Sequence, residues 1–328
     1  MSFEYPDSIQ LAKLPTPIEK LERLSKYFEG AQVYIKRDDF TGIATSGNKI
    51  RKLEFLLAEA KEQNCDYVIT CGGYQSNHAR STAIAAAKLG LKCHLVLRNS
   101  MGAALEGNLF LSRLVGADIQ YVTLEEYVRI DEEMNKIANE LDSKGHRTYI
   151  IPEGGSNELG ALGYLKGAEE IARQLKAMKL KIHHLVCAVG SGGTYAGLLL
   201  GKYLYNLPFQ IHGINVCDDE SYFINRIFEI LKNARRRFKL DLILSKKDIH
   251  IIDGYVGKGY GLSSQEEIDL IKTVAKAEGI ILDPVYTAKA MLGLVDQIRK
   301  GTFKPEENIL FIHTGGIFGL FPKKSLFF

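Results

Sequence analysis

Lys49 opens the amphipathic stretch KIRKLEFLLAEA directly behind a glycine-containing loop, Thr45-Ser46-Gly47-Asn48, and Lys52 follows three residues later on the same helical face. A cation at a helix start is electrostatically misplaced, because the first turn already carries partial positive charge. An anionic cofactor resolves the mismatch: one amine forms an imine with a carbonyl while the other neutralises a phosphate. A pair of exposed helix lysines is the plain alternative, and spacing alone does not separate the two.

Two further segments have the form of anion sites. In CGGYQSNHARSTAIAAAKLG a strand passes through a glycine turn into a helix, so the first backbone N–H groups, around Ser76, Asn77 and His78, lack intrahelical acceptors and suit a substrate carboxylate. Asn77 equally suits a simple N-cap, and His78 an ordinary helix histidine. Downstream, Gly190-Ser191-Gly192-Gly193-Thr194 lies between HHLVCAV and YAGLLLGKYL, a run of small residues at a helix start that can cradle phosphate. It does not match GxxxxGK[ST], and Tyr195 stands where GxGxxG needs its third glycine. Asp218 and Asp219 end the next strand and keep a nicotinamide reading open, and a purely structural tight turn is also open. Tyr260 in GKGYGLSS, Tyr286 and Thr287 in DPVYTAKA, and Thr314 in FIHTGG are polar groups in loops and at element ends, where sites are built.

The elements that must position these residues alternate between apolar strand-like runs and helix-period segments. YVITCGG, NHARSTAIAAAKLG, KCHLVLR, a helix ending near Val115 and DIQYVTL form one series; HHLVCAVGSGG, a helix from Tyr195, FQIHGINVC, DIHIIDG and NILFIHTGG form another. The pattern predicts an α/β protein of two domains with twisted, mostly parallel sheets covered by helices. Residues 1–52 and 160–328 are expected to form a large cofactor-binding domain and 53–159 a smaller inserted one, with the active site between them at the C-terminal ends of strands.

Composition narrows the function classes. With 328 residues the chain exceeds the usual size of one core, and 42 Lys plus Arg against 39 Asp plus Glu leave a formal charge of +3, too small to argue for nucleic acid. The basic run Lys232 to Lys239 has no aromatic stacking platform and is expected to be a solvated helix face. The five cysteines are odd in number and show no metal-binding spacing, so buried, reduced thiols and no metal are expected. No apolar run is long enough to span a membrane, and the N-terminus has neither a signal nor a transit pattern, so a cytoplasmic protein with no membrane partner is expected.

Taken together, these residues resemble the tryptophan-synthase-β-like (fold type II) pyridoxal-phosphate enzymes, in the branch that holds aminocyclopropane-carboxylate deaminase and D-cysteine desulfhydrase. The resemblance runs from TPIEKLERLS to HTGGIFG. It is carried by VYIKRDD, SGNKIRKLEFLL, QSNHAR, EGGSNELGALGY, GSGGTYAGL, ILDPVYTAKAM and FIHTGG, in family order and spacing. It implies that Lys49 holds pyridoxal phosphate, that Asn77 bonds the cofactor's phenolic oxygen, and that Gly190 to Thr194 with Lys52 bind its phosphate. Ser76, Tyr260 and Tyr286 would face a small amino-acid substrate, and a homodimer is the family habit.

Within the branch, the deaminase pattern has a glutamate after the DPVY tyrosine and a leucine after the histidine of the last strand, where this sequence has Thr287 and Thr314. Those threonines resemble the desulfhydrase pattern. The resemblance therefore implies β-elimination, D-cysteine giving pyruvate, sulfide and ammonia. The deaminase is the main alternative and an L-cysteate sulfo-lyase the second. A nicotinamide-dependent oxidoreductase and a non-catalytic ligand-binding protein stand further off. The apolar tail IFGLFPKKSLFF lacks the more polar family ending, and the sequence does not place it.

Overall fold

The computed structural model describes residues 3–27, 31–98 and 104–328. Ten strands are formed: β1 (Ile18–Lys20), β2 (Gln32–Lys36), β3 (Tyr67–Gly73), β4 (Lys92–Arg98), β5 (Asp118–Val122), β6 (Thr148–Ile150), β7 (His184–Val189), β8 (Gln210–Asn215), β9 (Ile251–Ile252) and β10 (Asn308–Ile312). The helices are α1 (Glu22–Tyr27), α2 (Lys49–Glu62), α3 (Asn77–Lys88), α4 (Gly107–Leu114), α5 (Leu124–Tyr127), α6 (Ile130–Asp142), α7 (Glu158–Met178), α8 (Gly193–Leu204), α9 (Glu220–Arg237), α10 (Gln265–Glu278) and α11 (Thr287–Arg299). None of the described helices is long and apolar enough to cross a membrane.

The strands make two sheets, ordered β1-β2-β10-β7-β8-β9 and β5-β4-β3-β6. Every pairing is parallel except β1 with β2. Parallel strands need crossover connections, and those helices cover both faces, so the central strands read as apolar runs rather than alternating ones. The sequences HLVCAV of β7 and NILFI of β10 do so, and both strands are almost wholly buried. The α/β class read from the sequence is the class observed.

α2 and α7 join the layers. Along GALGYLKG the small residues let α7 approach its neighbours closely: a Cβ on Gly163 would lie 2.4 Å from the Arg51 carbonyl oxygen, and one on Gly197 of α8 would lie 2.1 Å from the Ala161 carbonyl oxygen. Side-chain-free contacts of this kind fix where α2 lies.

The buried side of α2 is tied by charge. Arg51 donates to both carboxylate oxygens of Asp38, at 2.9 and 2.8 Å, and to both of Glu170, at 3.0 and 3.0 Å. Lys36 Nζ meets Glu170 at 2.5 Å, and the Tyr164 hydroxyl donates to Asp38 at 2.5 Å. Burial alone would raise the Asp38 pKa, but Arg51 and Lys36 hold it down to about 2. A depressed carboxylate pKa stabilises the fold above the unfolded value, so this contribution is present at neutral pH and is lost as pH falls from about 4 toward 2. Arg51→Met leaves two buried carboxylates facing one lysine and should lower unfolding free energy by about 3–5 kcal/mol. Guanidinium denaturation measures this; a loss below about 1 kcal/mol would contradict the role given to the network.

Candidate active site

A cleft of about 650 Å³ opens between the C-terminal ends of β3 and β4 and those of β7, β8 and β10. Lys49, Ser76, Asn77, Gly190, Ser191, Gly192, Thr194, Tyr260, Tyr286 and Thr314 line it, so most of the residues singled out in the sequence converge there.

The loop before α2 is pinned to the end of β10: the Asn48 N–H donates to the Thr314 carbonyl at 3.1 Å. Gly47 sits at φ +110°, where a Cβ would lie 2.7 Å from that same oxygen. This seats Lys49 at the cleft wall. Its Nζ is 3.5 Å from the Gly154 carbonyl oxygen, and Lys52 Nζ donates to that oxygen at 3.2 Å and to Ser156 Oγ at 3.0 Å. Both amines thus converge on one carbonyl, and among the described residues neither has a carboxylate within ion-pair distance. Burial pulls the Lys49 pKa down to about 8, with Glu153 opposing. Lys52, wholly buried, is pushed well below the usual amine range by burial and then by Lys49.

Opposite stands the start of α8. Gly192 is its N-cap at φ +83°, a conformation that favours glycine. The Gly193 N–H donates to Ser156 Oγ at 3.2 Å, and Ser156 and Ser191 share a hydrogen bond of 2.8 Å. A Cβ on Gly193 would lie 2.6 Å from Ser156 Oγ and 2.9 Å from Lys52 Nζ. A helix N-terminus, a buried lysine amine and a glycine without room for a side chain form a concave anion site.

At α3 the structure removes the plain alternative for Asn77. Ser76, not Asn77, is the N-cap, its Oγ accepting from the Ala79 N–H at 3.1 Å, and Asn77 is the first helical residue. The Asn77 carbonyl oxygen accepts from Asn108 at 3.0 Å, while its Nδ2 donates to none of the described residues. His78 is buried and bonded through Nε2 to Thr70 Oγ1 at 2.9 Å. Because Thr70 gives its one proton to the Ile151 carbonyl, at 2.8 Å, His78 is the donor in that pair and Nδ1 is a bare acceptor. Burial, then Lys49 and Lys52, drives the His78 pKa well below its usual value, so the ring is neutral.

Across the cleft the Tyr260 and Tyr286 hydroxyls lie 2.6 Å apart. Burial raises both pKa values, that of Tyr260 to about 12. At neutral pH the pair is two phenols, one donating to the other.

The expectation for Thr287 is corrected. It does not line the cleft. It is wholly buried, and its hydroxyl donates to Asp283 Oδ1 at 2.7 Å while accepting from the Asp283 N–H at 2.7 Å. That oxygen pins the DPVYT turn. Thr314 does line the cleft. Sequence reasoning missed Gly154, on whose carbonyl both lysines converge, and Ser156, which accepts from Lys52. The signal was present in EGGSN, whose two glycines adopt φ +65° and +58° and turn the chain beneath α2. Arg98 and Tyr127, at the cleft mouth with the guanidinium 4.8 Å from the ring centre, left no signal beyond their types.

Comparison with known proteins gives a consistent result. The pyridoxal-phosphate dependent enzyme family (PALP) matches residues 9–315. The bifunctional D-cysteine desulfhydrase/1-aminocyclopropane-1-carboxylate deaminase of Arabidopsis thaliana, a mitochondrial protein, is 45% identical over 326 residues, covering 96% of this chain and 80% of that protein. The D-cysteine desulfhydrase of Klebsiella pneumoniae (strain 342) is 41% identical over 318 residues and 95% of each chain. A crystal structure of an ACC deaminase homologue superposes with a TM-score of 0.90 at 39% identity, covering 98% of this chain and 96% of that one.

The depressed Lys49 pKa has a direct test. In cofactor-free protein, competitive acetylation read by mass spectrometry should give Lys49 a midpoint near pH 8, its reactivity rising as the amine loses its proton. A midpoint at about 10.4, the ordinary lysine value, would contradict the burial argument.

Proposed function

The chain belongs to the pyridoxal-phosphate dependent enzyme family, with that cofactor, and on this premise we propose that it removes the β-substituent of a small amino acid, D-cysteine foremost. The cofactor suits the residues present: an aldehyde meets the Lys49 amine, whose lowered pKa leaves a useful neutral fraction near pH 7, and a phosphate meets Lys52 and the Gly190–Thr194 cradle. Asn77, whose Nδ2 donates to none of the described residues, would donate to the phenolic oxygen, and Thr314 would offer its hydroxyl to the ring nitrogen. Bound there, pyridoxal phosphate supplies an electron sink for the pair left at the substrate Cα.

The chain's own groups do the rest. The N–H groups opening α3 and the Ser76 hydroxyl proton, which the cap does not use, bind the substrate carboxylate. Lys49 Nζ takes the proton from Cα. One hydroxyl of the Tyr286–Tyr260 pair delivers a proton to the sulfur leaving Cβ, the other passes its proton across the hydrogen bond they share, and water returns one proton to the pair before the next turnover. The balance is D-cysteine plus water giving pyruvate, hydrogen sulfide and ammonia. On the same reading residues 1–52 and 160–328 are the cofactor-binding unit and 53–159 the smaller one, and the protein works in the cytoplasm as a homodimer.

One observation carries the choice of elimination: a threonine, Thr314, lines the cleft, while position 287, where the deaminase pattern has a glutamate, holds a buried threonine bonded to Asp283. A neutral partner leaves the ring nitrogen less protonated, which suits a good leaving group better than ring opening of a cyclopropane. The deaminase remains the second reading because the Arabidopsis thaliana relative is named for both activities.

The test compares kcat/KM for pyruvate release from D-cysteine with that for 2-oxobutyrate release from 1-aminocyclopropane-1-carboxylate. The protein should favour D-cysteine by more than about tenfold, and Thr314→Leu should lower the D-cysteine value by about tenfold, or 1.4 kcal/mol. Preference for the cyclopropane would overturn the substrate choice.

A further inference from the structure

One cluster lies outside the groups assigned so far: two ammonium groups from distant parts of the chain hold the loop that carries Tyr260. The loop is rich in glycine, with Gly254, Gly257, Gly259 and Gly261 all at positive φ, from +62° to +118°. Such a backbone has many conformations of similar energy, so the loop alone does not fix the direction of the Tyr260 ring.

Lys289, whose side chain is 0% exposed, donates to the Val256 carbonyl and, at 3.1 Å, to that of Gly259, with Glu267 3.7 Å away. Lys323 donates to the Gly261 carbonyl and, at 3.2 Å, to Ser263 Oγ. Ser263 in turn donates to the Pro284 carbonyl at 3.1 Å, in the turn that leads to Tyr286. The carbonyls on both sides of Tyr260 therefore each meet a cation. Lys289 belongs to the first turn of α11, which Tyr286 caps, so one rigid turn sets Tyr286 and the loop together.

Lys323 comes from the tail that the sequence left unplaced. That tail is seated against α4: Lys324 pairs with Glu106 at 2.8 Å, and a Cβ on Gly107 would lie 2.4 Å from the Phe318 carbonyl oxygen. Neither Lys289 nor Lys323 lines the cleft.

We propose that Lys289 and Lys323 are positioning residues that hold the Tyr260 hydroxyl against Tyr286 for proton delivery to the leaving group. The inference rests on the role given to the two tyrosines above. Its test uses the holoenzyme and the variants Tyr260→Phe, Lys323→Met, Lys323→Arg and the double variant Tyr260→Phe/Lys323→Met. Lys323→Met should speed amide hydrogen exchange in residues 257–262 and lower kcat by about tenfold with little change in KM, and Lys323→Arg should restore most of both. Added to Tyr260→Phe, Lys323→Met should change kcat by less than about twofold, because the lysine acts through that hydroxyl. Lys289→Met/Glu267→Gln, which removes both buried charges at once, should behave like Lys323→Met. Unchanged exchange in Lys323→Met, or full multiplication of the two kcat losses in the double variant, would overturn the positioning role alone. Full kcat in Tyr260→Phe would overturn the tyrosine assignment and the inference with it.

Discussion

Two amines on the first turn of α2, one wholly buried and one at the cleft wall, point at the same carbonyl oxygen with no carboxylate within ion-pair distance among the described residues. Removing an ammonium group from water costs several kcal/mol even after relaxation, and a helix N-terminus adds further positive potential. The protein lowers the cost by lowering both pKa values, and a bound anion would remove it. Much of the surrounding architecture can be understood as holding this arrangement in place. Ser156 accepts from Lys52 and from the Gly193 N–H, and so joins the amine to the start of α8.

α2 tolerates such a turn because its other face is anchored. Arg51, between the two lysines in sequence, looks away from the cleft into the carboxylates of Asp38 and Glu170. α7 contributes Glu170 and Tyr164 to that frame, and lacks a side chain at Gly163, where it crosses the α2 backbone. A step of one or two residues along the helix, from Arg51 to Lys52 or Lys49, thus separates a charge-satisfied frame from a charge-deficient site. Preorganisation of this kind is what catalytic groups need, since small displacements are costly in rate.

Much of this was legible in the sequence because helix starts and glycine loops leave local signatures. SGNK, QSNHAR and GSGGT each mark a strand or loop passing into a helix, and all three meet at the cleft. What was not legible depends on convergence. Lys52 and Ser156 are 104 residues apart, and nothing local says that they touch. At α3, serine and asparagine are both good N-caps, so the sequence could not choose between adjacent residues. For Thr287 the deciding neighbour is Asp283, which captures the hydroxyl and takes it out of the cleft. The apolar tail had no pattern of its own, and its place follows from Lys323 and Lys324 finding acceptors on two different elements.

Lys49 is the amine placed to carry the cofactor, because among the described residues it alone combines an opening to the cleft with a pKa brought down to about 8 by burial. Reducing the holoenzyme with borohydride and mapping the product by mass spectrometry tests this most directly. Reduction should abolish the visible absorbance band and leave a single phosphopyridoxyl modification on Lys49, absent in Lys49→Ala. Modification of Lys52 or of any lysine outside the cleft would contradict the assignment.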